Sequence, residues 1–387
     1  MKRQAGLSFT VVVMWVLLLV GTGAGTVAWA GDVYRIGGIF AVTGPSSFLG
    51  DPEKRSMEMA IDEINAAGGI DGRKLEAVIY DSEGEPTKAV LAANRLISRD
   101  RVLAVVGTSL TPTTLAVIPI MERNRIPLVS CAAGIDITEP VRPWIFKTAQ
   151  SDALAVGAIY EHMKKEGIER IGILTVENAF GESGRHQLQT KAEEFGIQIV
   201  HASSFGARDT DMTAQLTRIR GTNPDAIVCW GTNPGPAVVA RNLQQLNINV
   251  PLYQSHGVAS PRFIELAGDA ADGIYLPTGK ILVADQLPED DPQKEVLTRY
   301  IESFESRFRM PVSGFGGYAY DAVYLLAEAL KGSDGDREKI RSSLEQISGH
   351  VGVTGIFNFS PEDHNGLSSD AFVMVRIENG EWKLLDQ

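Results

Sequence analysis

From Val33 onward the sequence alternates between two periods, and that alternation constrains the fold more than any other feature. Short β-branched runs occur at Val33–Ile39, Leu75–Tyr80, Val102–Val106, Arg170–Val176, Ile197–His201, Ala226–Trp230 and Gly273–Leu276. Between them lie segments of helical period: Glu53–Ala67, Thr87–Arg99, Thr113–Asn124, Ala153–Glu166, Gly184–Phe195, Thr210–Arg220, Ala237–Leu246 and Arg262–Leu266. Strand–helix–strand repetition predicts parallel sheets, because parallel strands need a crossover and the crossover helix covers a sheet face. Thr111-Pro112, Asn233-Pro234 and Ser260-Pro261 each read as a capping residue followed by proline at the first helical position.

The alternation breaks after Pro277-Thr278-Gly279. An acidic, proline-bearing stretch (Asp285–Pro292) precedes helical segments near 293–308, 315–331 and 336–347, and strands return at Gly355–Phe359, Asp370–Ile377 and Trp382–Leu385. One sheet does not absorb this pattern; two sheets do, if the chain passes between them near Lys147–Gln150, Pro277–Gly279 and Gly352–Gly355. The expected fold is therefore α/β, with two Rossmann-like three-layer lobes joined by a three-crossover hinge. Residues 31–148 plus 279–353 would form the N-terminal lobe, and 149–278 plus 354–387 the C-terminal lobe. A chain of 387 residues is long enough for two such domains. Strand C-terminal ends and helix N-termini of both lobes would face a shared cleft, the usual place for a small ligand, and the hinge implies closure around it.

The first 30 residues read as an export signal. Lys2 and Arg3 are followed by an apolar run from Val11 to Val20, and Ala28-Trp29-Ala30 gives a cleavage pattern before Gly31. The run is too short to span a bilayer, which takes about 20 residues; an uncleaved anchor is the alternative if the tail through Trp29 is counted. Cleavage after Ala30 leaves 34 basic against 48 acidic residues, a charge of −14, which argues against nucleic acid as a partner. No direct membrane insertion of the mature chain is expected. Cys131 and Cys229 end apolar runs; a disulfide is conceivable in an oxidising compartment, but the surroundings favour two buried thiols in different lobes.

Catalytic motifs do not emerge. Gly181-Glu182-Ser183-Gly184 lacks the spacing of a nucleophile elbow. Gly273 to Gly279-Lys280 has five intervening residues where a phosphate loop has four, and Ile281 replaces its Ser or Thr. The six histidines show no metal-ligand pairing. Neither an enzyme nor a cofactor is expected.

Several blocks carry a resemblance. Ile39-Phe40-Ala41-Val42-Thr43-Gly44-Pro45 with Gly50, then Ala60 to Ile70 (AIDEINAAGGI) with Gly72, Asp81 and Asn94, are similar to the periplasmic binding proteins for branched-chain amino acids. Val105-Val106-Gly107, Ile126–Ser130, Phe180-Gly181 and Tyr320-Asp321-Ala322 continue the match in register, over residues 33 to about 385. The resemblance implies the type I periplasmic binding fold, a periplasmic location and delivery of ligand to an inner-membrane ABC permease.

It also implies where a ligand would sit. Gly107–Pro112 joins a strand to a helix, and its N–H groups with the hydroxyls of Ser109 and Thr111 would suit a carboxylate; capping of the helix by Thr111 is compatible with that role. Ala132, Ala133 and Gly134 align with the family's second ligand loop, where Gly134 replaces a customary Thr. Leu49 falls where the family places an apolar wall, Phe180 where an aromatic closes over the ligand, and Thr232 at another contact position. His256 stands where amino-acid binders of this family generally carry Glu against the ligand's ammonium. Histidine cannot supply that counter-charge, so of the two carboxylate-bearing classes, an amino acid and an organic acid, the favoured one is an aromatic or short aliphatic acid without an essential α-ammonium, with His256 as a hydrogen-bond donor; Glu177 is the one candidate substitute acid. The competing reading is a sensor module that presents the same ligand to a separate receptor.

Overall fold

The computed structural model describes residues 33–385, so the leader expected at 1–30 lies outside the described residues. The first lobe runs β1 (Val33–Phe40), α1 (Ser47–Ala66), β2 (Lys74–Asp81), α2 (Pro86–Ser98), β3 (Val105–Gly107), α3 (Thr111–Asn124), β4 (Leu128–Ser130) and β5 (Ile145–Lys147). All neighbours in its sheet are parallel, in the order β2-β1-β3-β4-β5. The second lobe runs α4 (Asp152–Lys165), β6 (Arg170–Val176), α5 (Ala179–Lys191), β7 (Gln198–Phe205), α6 (Thr213–Arg220), β8 (Ala226–Trp230), α7 (Gly235–Gln245), β9 (Leu252–Gln254), α8 (Pro261–Ala267) and β10 (Tyr275–Thr278).

The chain then returns to the first lobe as α9 (Lys294–Phe308), α10 (Gly314–Leu330), α11 (Arg337–Leu344) and a hairpin of β11 (Ser348–Val351) and β12 (Ile356–Asn358). It closes as β13 (Val373–Glu378) and β14 (Glu381–Leu384), antiparallel additions to a second sheet ordered β14-β13-β10-β9-β8-β6-β7. Each sheet is covered on both faces. Met57 and Ile61 of α1 meet Tyr300, Phe304, Tyr320 and Leu326 of α9 and α10 on one side of the first sheet, while Leu96, Val117 and Met121 cover the other. Tyr160 and Leu188 back one face of the second sheet; Leu216, Val239 and Phe263 back the other. This double burial is why the strands read as short, nearly continuous apolar runs.

Several element boundaries differ from the sequence expectation. Helix α1 starts at Ser47 rather than Glu53 and carries Pro52 inside it. Its first turn lies against the end of β1, where a Cβ on Gly50 would come within 2.3 Å of the Ala41 carbonyl carbon. Helix α5 starts at Ala179, not Gly184. Helix α7 starts at Gly235 with no side-chain cap from Asn233, and Ser260 precedes α8 without capping it. The third passage is also later than expected at Gly352–Gly355: Phe357, Phe359 and Leu367 remain in the first lobe's core, and the chain joins the second sheet only at Val373. Among the described residues no helix is long and apolar enough to cross a membrane.

Candidate functional site

In each sheet the strand order reverses beside its first strand. Strand β1 lies between β2 and β3, and β6 lies between β7 and β8. Loops diverge at such a switch point and leave a crevice at the strands' C-terminal ends. The two crevices meet in one cavity. Leu49, Ser109, Leu110, Thr111, Pro112, Cys131, Ala132, Ala133, Phe315 and Tyr318 line it from the first lobe, and Asn178, Phe180, Thr232, His256 and Gly257 from the second.

The first-lobe wall is built on a backbone that only glycine permits. Gly107 has φ +105°, and a Cβ there would lie 2.3 Å from the Ile39 carbonyl oxygen. Beyond it, Thr108 Oγ1 bonds the hydroxyls of Thr113 (2.5 Å) and Thr114 (2.9 Å); Thr114 in turn bonds Ser130 (3.1 Å), whose oxygen accepts the Ala132 N–H (3.1 Å). This run of hydroxyls fixes the loops after β3 and β4 to each other. Leu110 occupies the position before α3 without a side-chain cap, so Thr111 is the first helical residue and does not cap its helix. Its hydroxyl instead accepts the Gly134 N–H at 3.2 Å. Pro112 has no N–H and Thr114 donates its own to the Leu110 carbonyl at 2.9 Å, so the free first-turn N–H groups of α3 among the described residues are those of Thr111 and Thr113, at the positive end of the helix dipole.

Gly134 itself does not line the cavity. A Cβ on it would lie 2.4 Å from Thr111 Cγ2. The glycine thus makes room for Thr111. Ser109 accepts the Ala41 N–H at 3.0 Å and is bonded to Glu53 of α1, a side chain 1% exposed.

On the opposite wall, Asn178 caps α5, its Oδ1 accepting the N–H groups of Phe180 (3.0 Å) and Gly181 (3.1 Å). Phe180 packs between the rings of Trp230 and His256, with centroids 5.9 and 5.7 Å away. A Cβ on Gly257 would fall 2.9 Å from Phe180, so the loop after β9 needs glycine to bring the imidazole this close. His256 is 2% exposed and meets Phe180, Trp230 and Phe372 edge-on. Burial, aided by the Lys147 ammonium, pushes its pKa down to about 3, which keeps it neutral. Neither ring nitrogen has a hydrogen-bond partner among the described residues.

Glu177, the candidate substitute acid, is exposed and accepts the Ser204 hydroxyl at 2.6 Å, away from the cavity. The acid behind His256 is Asp152, at the start of α4, with Oδ1 3.7 Å from His256 Nε2. Ser183 donates to its other oxygen, and burial raises its pKa to about 7. Nearby Lys147 donates to the carbonyls of Ala133 (3.0 Å) and Gly134 (3.4 Å), with its pKa lowered to about 8 by burial. Neither Lys147 nor Asp152 lines the cavity, and among the described residues no Asp, Glu, Lys or Arg does.

Eight of the nine residues singled out from the sequence thus come together: Leu49, Ser109, Thr111, Ala132, Ala133, Phe180, Thr232 and His256. Sequence reasoning missed Phe315 and Tyr318 of α10, which carry no local signal for a site. It passed over Cys131, which lines the cavity; Cys131 and Cys229 are both buried and unpaired.

A family model described as "Periplasmic binding protein" matches residues 33–381. The Leucine-, isoleucine-, valine-, threonine-, and alanine-binding protein of Pseudomonas aeruginosa is 27% identical over 327 residues, 83% of this chain and 84% of that protein. A Leu/Ile/Val/Thr-binding protein of Salmonella typhimurium is 26% identical, covering 80% and 83%. Among solved structures, an extracellular ligand-binding receptor from Rhodopseudomonas palustris superposes with TM-score 0.86 at 25% identity, covering 92% of this chain and 100% of that one. The branched-chain amino acid transporter substrate binding protein of Streptococcus pneumoniae, in complex with isoleucine, gives 0.81 at 25% identity, covering 91% and 99%. All four are described as binding proteins or receptors, and the Streptococcus pneumoniae protein as the substrate binding protein of a transporter. With two lobes meeting over one cavity at paired switch points, and a family match across nearly the whole described chain, this protein belongs to the periplasmic binding protein family.

Proposed function

We propose that this protein is the periplasmic solute-binding component of an ABC importer, and that it captures a small carboxylate lacking an α-ammonium group. The observation that carries the ligand class is the charge of the lining: a helix N-terminus with hydroxyls on one wall, a neutral histidine on the other, and no carboxylate anywhere on it. An anion is matched by the N–H groups at the start of α3. A buried ammonium would meet no counter-charge, at a cost of several kcal/mol, on the order of a thousandfold in affinity.

In this reading Thr111 and the first turn of α3 hold the carboxylate, and Ala132 and Ala133 present backbone groups beside it. Leu49, Phe315 and Tyr318 enclose an apolar body, Phe180 closes over it from the second lobe, and Thr232 and His256 offer hydrogen bonds. Export to the periplasm with loss of residues 1–30, and hand-over to an inner-membrane permease, follow from the family's role. Calorimetry of the mature protein against leucine, isoleucine and valine, and against aromatic and short aliphatic organic acids, tests the ligand class. Binding of one or more acids with no heat from the amino acids is expected; micromolar leucine or valine binding without any response to acids would overturn it.

A further inference from the structure

We propose that Glu53 holds a proton and donates it to Ser109, so that the Ser109 hydroxyl hydrogen is turned into the cavity as a donor. The ligand half of this rests on the carboxylate reading above; the protonation half does not.

A serine hydroxyl has one hydrogen and two lone pairs. One lone pair of Ser109 is taken by the Ala41 N–H at 3.0 Å. The contact with Glu53 then has two forms. If Glu53 is ionised, it accepts the only hydrogen, and Ser109 shows the cavity a lone pair, which repels a carboxylate. If Glu53 is protonated, its O–H fills the second lone pair, and the serine hydrogen is left for a ligand oxygen.

The surroundings of Glu53 select the second form. Its side chain is 1% exposed, Oε1 has no hydrogen-bond partner, and no Lys, Arg or His pairs with it among the described residues. The titratable groups that face it from other elements are the Cys131 thiol after β4 and the Tyr318 phenol on α10, both held neutral by burial. The charged neighbours on its own helix are engaged elsewhere: Lys54 with Glu58, and Asp51 with Arg55. A carboxylate with a single hydrogen bond and no cation in such a place is the costly form, and burial accordingly raises the Glu53 pKa well above the usual carboxylate range. Glu53 does not line the cavity; it is a positioning residue that decides which way Ser109 points.

Infrared difference spectroscopy of the ligand-free protein at neutral pH, wild type minus Glu53→Gln, should show a protonated-carboxyl C=O stretch that the variant lacks. Ser109→Ala, which leaves Glu53 in place, should shift that band by removing its partner, and serves if Glu53→Gln does not fold. An ionised-carboxylate signal in place of the band, or a band indifferent to Ser109→Ala, would overturn the proposal whatever the ligand is. In calorimetry with the best-binding organic acid, Ser109→Ala and Glu53→Ala should each lose about ten- to hundredfold in affinity. Glu53→Gln, whose amide can donate in the acid's place, should rescue most of that loss. Tighter binding by Glu53→Gln than by wild type would mean the serine hydrogen had been pinned to a carboxylate, and would overturn the proposal. Failure of every acid to bind wild type would instead count against the ligand class and leave the infrared result standing.

Discussion

Gly134→Ala isolates the contact that sets the floor of the cavity. Gly134 has φ −50° and ψ 136°, a backbone open to any residue, so the substitution carries no conformational penalty of its own. The added Cβ would sit 2.4 Å from Thr111 Cγ2 and 2.9 Å from its Oγ1. Carbon atoms in good contact are about 3.5–4.0 Å apart, so the Thr111 methyl must retreat by about 1 Å. It cannot do so freely, because a β-branched side chain in a helix has few χ1 wells, and Thr111 is 2% exposed.

Overpacking of this kind costs about 1–3 kcal/mol. Losing the 3.2 Å bond from the Gly134 N–H to Thr111 adds about 1 kcal/mol, for a total of roughly 2–4 kcal/mol. Thr111→Ala removes both crowding atoms, so the double variant should be more stable than the sum of the singles by about 1–3 kcal/mol. Urea unfolding of the four proteins gives the cycle. A Gly134→Ala variant within about 0.5 kcal/mol of wild type, or two substitutions that simply add, would refute the reasoning.

Two further outcomes concern His256. His256→Glu should weaken organic-acid binding at least about tenfold through like-charge repulsion while allowing leucine to bind, since it restores a counter-charge; calorimetry with both ligand classes reads this. The second concerns acid stability. The folded pKa of about 3 lies below the ordinary 6.5, so between those values the unfolded chain takes up a proton that the folded chain refuses. Stability therefore falls as pH drops through that window, by up to about 1.4 kcal/mol per pH unit from this group. His256→Gln removes the effect, and its urea midpoint should decline less steeply than wild type from pH 6.5 toward 4, where an equal slope would count against a buried neutral histidine.

The sequence by itself determined the α/β class; the expected lobes came from its broken alternation, and the expected lining residues from its resemblance to a family. The fold class is written in local periods and in the loops that directly follow strands. Ser109, Thr111, Phe180 and Thr232 are legible through the family resemblance, and all four follow strands whose C-terminal ends meet the crevice.

The tertiary structure alone decided what stands behind them. Lys147, Asp152 and Glu53 look like ordinary surface charges in a linear reading, because nothing local distinguishes a charge that another element will bury. Phe315 and Tyr318 reach the cavity only because α10, which begins more than 160 residues after β5 ends at Lys147, lies against α1 in the first lobe. Gly134 seemed to be a missing hydroxyl and is instead the space that Thr111 occupies. Periodicity records which face of an element is buried; the partner on that face, and so the charge and shape of the site, is fixed by contacts between residues far apart in the chain.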